Sequence, residues 1–542
     1  MLRRPARSNP ARRQVASGAS IPAPVGGWDA VSALADMPAD RAVVLDNWFP
    51  RPGDVEVRRG HKAFAFVGDA PVDTLMVYNS TTAVASRLFA VAGGTIHDVS
   101  PGGAGIPTGV TSLTASRWQH VNFANPGGKF LWCCNGLDDP RHYDGTSWAT
   151  PGIDNITGSD IVNVNVHKNR LWFILKDSTT AAYLPTGAIA GAAAPFELGG
   201  FLSKGGYLVA MGTWTRDGGS GSDDYAVFVS SRGQAVVYQG TDPASAATWA
   251  MVGVFDIGAP IGYRCFTKVG GDLALINIDG VLPLSRSLIE AQSGAAGAIA
   301  FTNRINNAIN EATRAHATNF GWEFTIYPRG TMALLNVPIR ESETQHQYVM
   351  NTLNGAWCRF TGMNANTWAV FRDNLYFGGN AGIVFQADTT SLDFTAPVDA
   401  IGQTAYHFYG ARGVTKRWTV IQPLVTTDSD VVPSVGISTD FKENATLTTP
   451  APAAIPAARF DEATWDVDAF PAESRSVSDW LSISGIGQCA SVHFRARTGA
   501  EGGISLWGNA EWGHDVWSAD ITGDVIERIN GFNVVFERGA FF

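Results

Sequence analysis

Apolar residues come along this chain in short runs broken by Gly, Asn and Asp. Several runs face each other across tight-turn dipeptides. Gly93-Gly94 lies in LFAVAGGTIHDV, Asp144-Gly145 in HYDGTSW, Asp279-Gly280 in LALINIDGVLPL and Asn354-Gly355 in YVMNTLNGAWCRF. Such dipeptides accept positive φ at both central positions. A type I′ turn needs this to match the twist of two strands, so each predicts a β-hairpin. The segment Val162–His167 adds strict alternation of apolar and polar positions, a further strand signal.

The hairpins recur. With Leu88, Leu131, Leu171, Val227, Leu273, Phe324 and Leu375 taken as the first apolar strand of successive groups, the spacings are 43, 40, 56, 46, 51 and 51 residues. A four-stranded propeller blade occupies about 40–50 residues. One small sheet cannot bury both faces alone, but radially stacked sheets cover each other. The expectation is an all-β chain: a β-propeller of six or seven blades over residues 26–395, closed by a strand from AVVLDNWF or VEVRRG. One segment departs from this texture. FTNRINNAINEATRAHATNF sets Ile305, Ala308, Ile309 and Ala312 at helical spacing behind a Thr302 cap. It predicts one short helix inserted between blades, covering a propeller edge or meeting a partner. Past Thr395, TTPAPAAIPAARFDEATW reads as an extended loop, and KRWTVIQPLV, SVHFRARTG and FNVVFERG read as strands. Val492, Phe494 and Ala496 face one way, and His493, Arg495 and Arg497 the other, as in a half-buried antiparallel strand. Residues 396–542 are therefore expected to form a C-terminal β-sandwich-like domain, and residues 1–25 an Arg-rich flexible arm.

Composition narrows the class. Of 542 residues 45% are hydrophobic and 16% charged, with 17 Trp and 29 Phe, so the chain is not disordered. No uninterrupted apolar stretch approaches the roughly 18 residues of a membrane-spanning helix, and no stable membrane insertion is expected. The net charge of −10 argues against tight binding of duplex phosphate over the whole surface. It leaves room for local basic patches, and the clearest is the start, with Arg3, Arg4, Arg7, Arg12 and Arg13. It reads as a solvated chain end, with contact to nucleic acid or an acidic neighbour as the functional alternative. No apolar stretch follows it, so it is not read as a secretory signal, and it matches a transit peptide only loosely. The five cysteines are Cys133, Cys134, Cys265, Cys358 and Cys489. An odd count at wide spacing predicts buried, reduced thiols, and the adjacent pair should point to opposite faces of a strand.

Catalytic spacings are missing. There is no H-E-x-x-H, G-x-S-x-G, P-loop or EF-hand pattern. Gly26-Gly27 and Gly218-Gly219-Ser220-Gly221 lack the strand-to-helix context of a phosphate cradle and read as loops. His142 lies near Asp138, Asp139 and Asp144, but Asp-rich turns between strands are the commoner origin of such a group. A glycosidase needs two carboxylates about 5–9 Å apart. The adjacent pairs Asp138-Asp139 and Asp223-Asp224 do not supply that geometry by adjacency alone. Tyr143–Trp148 is similar to the Asp-box turn of sialidases, yet occurs once and reads first as a hairpin with Trp148 packed between blades. No catalytic residue, metal or cofactor is expected.

Residues 26–64 resemble the N-terminal region of a protein family from short-tailed bacteriophages, the tail nozzle proteins also called tail tubular protein B or tail hub. The resemblance is carried by Asp46, Asn47, Trp48, Phe49 and Pro50, then Gly53, Val55, Arg58, Arg59 and Gly60. VDTLMVYN and LFAVAGGTIHDVS also resemble it, as does the end, with Asn530, Gly531, Phe536, Glu537, Arg538 and Gly539. The resemblance implies a non-enzymatic virion component made in the host bacterial cytoplasm. It implies a homo-oligomeric, hexameric ring below the portal, contacting an adaptor protein and tail fibres or tailspikes, with viral DNA passing transiently. A glycosidase or carbohydrate-binding tail component acting on host polysaccharide is the alternative. Under the resemblance, Trp48 and Phe49 are expected as buried anchors holding the N-terminal segment onto the propeller, and Asp46 and Asn47 as partners of backbone groups before Pro50. Arg58, Arg59, Glu537 and Arg538 are expected in inter-domain or inter-subunit pairs, or in ordinary intrachain packing.

Overall fold

The computed structural model describes residues 16–217, 222–285, 300–427, 433–442, 445–448, 475–498 and 527–539. The arginines of the N-terminal arm, the Gly218–Gly221 loop and most of the Pro/Ala-rich stretch lie outside the described residues. The chain divides into two compact units. One comprises residues 58–398; the other joins the residues up to Val57 to the described residues from Asp399 onward.

The first unit is a propeller. Its repeated sheets begin with the strands Val72–Tyr78, Gln119–Asn125, Ile161–His167, Leu208–Asp217, Phe266–Val269, Glu323–Tyr327 and Thr367–Phe371, defining blades 1 to 7. Each first strand lies beside the next, and that of blade 7 returns to that of blade 1. Blades 1 to 4 are four-stranded meanders, and blade 5 shows three strands among the described residues. The fourth strand of blade 7 is His61–Phe66, which pairs antiparallel with Ile383–Ala387. The ring is thus closed by a strand just downstream of the two expected ones. AVVLDNWF and the strand Val55–Val57 of VEVRRG belong to the other unit instead.

Blades meet through apolar faces. Trp132, Cys134, Leu171 and Phe173 fill the space between blades 2 and 3. Met76, Phe89, Leu131 and Cys133 fill that between blades 1 and 2. The adjacent cysteines therefore point to opposite faces, and burial drives both thiol pKa values upward. This also explains why Ile161–His167 is largely buried despite its alternating sequence. A first strand is covered on both sides, so Asn163 and Asn165 spend their amides on backbone rather than on water. Asn165 Nδ2 donates to the Met211 carbonyl at 2.7 Å and Asn163 Oδ1 accepts from the Met211 amide at 3.2 Å. Each residue marked in the sequence falls in a different blade, usually in its second strand.

The predicted hairpins form, and of the four only Gly93-Gly94 sits at its expected centre. Gly93-Gly94 is a two-residue turn with φ of +54° and +72°. In the Asp279-Gly280 hairpin Asn277 pairs with Gly280, so Ile278-Asp279 occupies the turn. The inserted helix spans Asn306–His316 after a single 3-10 turn, Asn303–Ile305, and buries Ile309, Ala312 and Thr313. Thr302 does not cap it. Its hydroxyl accepts from the Val281 amide in blade 5 instead. The helix bridges blades 5 and 6: Thr313 Oγ1 donates to the Ile278 carbonyl at 3.2 Å, and Trp322 Nε1 to the His316 carbonyl at 2.9 Å.

The second unit is a two-sheet β sandwich. In one sheet, Arg41–Asp46 pairs with Asp399–Thr404, which pairs with Ala490–Arg497, which pairs with Ser434–Thr439. In the other, Trp48–Pro50, Val55–Val57, Glu527–Arg538 and Lys416–Thr427 follow in order. Residues 26–57, expected in the propeller, thus belong to this sandwich. Ala16–Pro22, expected in the flexible arm, pairs along Gly531–Glu537. Trp48 meets Phe494 edge-on and Phe494 lies tilted against Phe532, with ring centroids 5.2 and 5.4 Å apart, so Trp48 anchors the sandwich core, where an anchor on the propeller was expected.

Candidate functional site

Two places gather the candidate residues. The first is the corner where the chain passes from one sandwich sheet to the other. Asp46 ends a strand of the first sheet and Trp48 begins a strand of the second. Asn47 makes the corner with φ of +59°, a left-handed conformation that Asn tolerates better than most residues. Its side-chain amide donates to the Asp399 carbonyl at 2.8 Å. Trp48, Phe49 and Pro50 are buried beyond it. The strand after the turn, Val55–Val57, pairs with the C-terminal strand, Val55 opposite Ile529 and Glu56 opposite Arg528. Arg528 Nε meets Glu56 Oε2 at 3.1 Å, and Arg51 binds the same carboxylate. Phe536 is buried against Tyr409, centroids 5.2 Å apart. Glu537 stands opposite Arg417, Arg538 opposite Lys416, and the Gly539 amide donates to the Thr415 carbonyl at 2.8 Å.

Arg58, Arg59 and Gly60 lead into the propeller's closing strand. The buried guanidinium of Arg58 clasps both oxygens of Asp393, at 2.8 and 2.6 Å, and His61 Nδ1 lies 3.1 Å from the same carboxylate. Burial alone would raise the Asp393 pKa, but Arg58 and His61 outweigh it and hold it at about 2. Arg58 is thus paired inside its own unit. Arg59 is exposed, and Gly60 lies so close to Leu392 that a Cβ there would overlap its carbonyl.

The second place is the axis of the propeller. Arg264, just before the first strand of blade 5, reaches the opposite side of the ring. Its Nη2 donates to the Asp73 carbonyl at 3.0 Å and Thr74 Oγ1 at 2.9 Å in blade 1, and lies 3.3 Å from the Trp118 carbonyl ahead of blade 2. Its Nη1 is 3.4 Å from Glu323 in blade 6. Arg117, ahead of blade 2, crosses in turn to Glu341 of the blade 6 loop and lies 3.5 Å from Asp73. Both guanidinium groups sit over the Phe320 ring, 4.2 and 5.0 Å from its centroid. Burial pushes the Asp73 and Glu323 carboxyls up; Arg117 and Arg264 oppose this at Asp73, and Arg264 at Glu323. The pair braces the ring across one end of its hole. His120 is exposed along the hole, where the surrounding blades, followed by the Arg264 charge, lower its pKa to about 4.

Nothing in the sequence brought Arg117, His120, Arg264 and Glu323 together, because their proximity needs ring closure. The one available signal was their common position at or just before a blade's first strand. The suspected aspartates act locally instead. Asp138 accepts the amides of Thr114 and Ala115, and Asp144 those of Thr146 and Ser147. Asp224 binds Lys168 and Thr215. Trp148 packs on Phe89 of blade 1, centroids 5.0 Å apart. Among the described residues no three His, Cys, Asp or Glu side chains gather as metal ligands, and no helix is long and apolar enough to cross a membrane.

No family model matches this chain, and no curated protein matches it in sequence. Solved structures resemble it more loosely. BBS1N in complex with ARL6DN matches at 10% identity and a TM-score of 0.38, over 61% of this chain and 97% of its own. YCF48 bound to D1 peptide matches at 13% and 0.34, over 59% and 94%. A family 43 glycoside hydrolase, an arabinoxylan arabinofuranohydrolase from Bacillus subtilis, matches at 10% and 0.24, over 89% and 96%.

Proposed function

We propose that this chain is a structural protein of a short bacteriophage tail: a nozzle subunit that assembles as a hexameric ring below portal and adaptor. It conducts DNA during ejection and offers a docking platform for tail fibres or tailspikes. The reading rests on the resemblance of residues 46–60 and 530–539 to that family. The observation that supports it is the pairing of Val55 and Glu56 with Ile529 and Arg528, partners that lie 472 residues apart for Glu56 and Arg528. The strand Glu527–Arg538 carries most of the second resembling segment, so the two segments build one sheet and count as one structural feature.

In this proposal the DNA path is the lumen enclosed by six protomers. The hole in each propeller is braced by Arg117 and Arg264 and serves no passage. Six copies carry a formal charge of −60, six times the −10 of one chain. A polyanion slides past such a wall instead of being held by it, wherever the acids face the lumen. Ring closure by identical subunits requires a head-to-tail interface. The test is quantitative mass spectrometry and electron microscopy of purified phage particles. Six copies per particle, in density at the tail, are expected. Absence from the particle, or a free monomer that depolymerises host polysaccharide, overturns the proposal.

A further inference from the structure

Beside the arginine brace, the first strands of the propeller line a half-open chamber of about 210 Å3. All seven blades contribute, with Leu75 from blade 1, His120 from blade 2 and Phe266 from blade 5 among the lining. At about 30 Å3 per water this is room for roughly seven waters, the scale of one small ring compound.

The polar groups of the wall fall into two sets. Most are spent on the protein. Asn163 and Asn165 bind backbone of the neighbouring blade, and Thr267 Oγ1 donates to the Phe324 carbonyl at 2.6 Å. The N–H groups of Arg264 that face blades 1, 2 and 6 have acceptors there. Glu323 Oε2 accepts from the Trp368 amide at 3.1 Å besides meeting Arg264. Arg264 and Glu323 are thus paired with each other and with backbone, and an ion entering the chamber competes with those bonds. Two side chains of the blade 2 first strand are different: Gln119 stands opposite Cys134 and His120 opposite Cys133, so they flank that strand on its two faces. Gln119 and His120 make no side-chain hydrogen bond among the described residues, and both line the chamber. A primary amide and a neutral imidazole each donate and accept, which is the complement of hydroxyl groups. Across the ring, Phe266 supplies an apolar surface.

We infer that this chamber binds a neutral, hydroxyl-bearing small molecule about the size of one sugar ring, held by Gln119 and His120 with Phe266 facing its apolar side. The inference is independent of the proposed tail function, since it concerns the propeller alone. The test is saturation-transfer NMR and calorimetry on the full chain with D-glucose, D-galactose and N-acetyl-D-glucosamine, with sodium phosphate as the anionic comparison. Saturable binding of at least one sugar is expected, with a Kd on the order of 1 mM. Gln119→Ala and His120→Ala are each expected to weaken it about tenfold with an unchanged melting curve. If His120→Ala does not fold, Gln119→Ala decides alone. No saturation by any of the three sugars up to about 100 mM, sugar binding that survives the substitutions, or preference for phosphate overturns the inference.

Discussion

Trp48 is fully buried and meets Phe494 edge-on in the sandwich core. Its replacement by Ala leaves a cavity between two sheets and is expected to cost about 3–5 kcal/mol, read as a lowered urea midpoint. An unchanged midpoint would remove its role as anchor. The residue type and its neighbours announced burial in the sequence; the partner, Phe494, did not announce itself. Arg58 illustrates the same divide. A cation in the motif was legible, but its Asp393 partner depends on the ring being closed. Lys416 was not legible at all. Its ammonium is buried and donates to the carbonyls of Ala411, Val414 and Gln488 at 2.7, 3.0 and 2.9 Å. Backbone carbonyls from two separate loops leave no trace in residue identity.

Among elements, the closing strand was the hardest to place. AVVLDNWF and VEVRRG carry more β-branched residues than HKAFAF and compete for the same assignment. The tie is broken by the sandwich, whose sheets take the first two and leave His61–Phe66 to the ring. Gly60 holds the start of this strand: its amide donates to the Thr390 carbonyl, and Thr389 returns a bond to its own carbonyl at 3.3 Å. Gly60→Ala forces the two segments apart and is expected to destabilise the propeller by about 1–3 kcal/mol. Faster cleavage by a protease near residues 58–70, with unchanged secondary structure by circular dichroism, would report it; wild-type resistance would deny the role. Hairpins, by contrast, were readable because Gly and Asn at turns act locally, and only the exact centre of each turn awaited the pairing register.

For the molecule as a whole, stability should depend on pH through buried imidazoles. His167 is buried between blades 3 and 4, its Nδ1 3.3 Å from Thr213 Oγ1 and its ring 5.6 Å from Trp249. Burial, then the Lys168 charge, lowers its pKa from 6.5 to about 4. The unfolded chain therefore binds more protons than the folded one between these values, so stability falls as pH drops from about 6.5 to 4. For His167 the loss is on the order of 3 kcal/mol. Asp393, with its depressed pKa of about 2, adds a second loss as pH falls below the ordinary carboxylate value and through about 2. Asp73 and Glu323, whose pKa values are raised, act in the opposite sense. A His167→Gln variant isolates the first component. Its urea midpoint should drop less than that of the wild type between pH 7 and pH 4.5, and an equal drop would refute the assignment.

What the sequence determined by itself was everything that works over a few residues or by repetition. It specified strands, hairpins, one helix, a blade period of about 40–50 residues, buried thiols on opposite faces and an additional β domain after the propeller. Short-range sterics and the need to bury apolar faces act wherever those residues stand. Only the tertiary structure decided which strand closes the ring, that residues 26–57 belong with the C-terminal strands, and that seven first strands gather Arg117, His120, Arg264 and Glu323 around one axis. Those outcomes are choices among nearly equivalent pairings of distant segments, and such choices are settled when the whole chain packs.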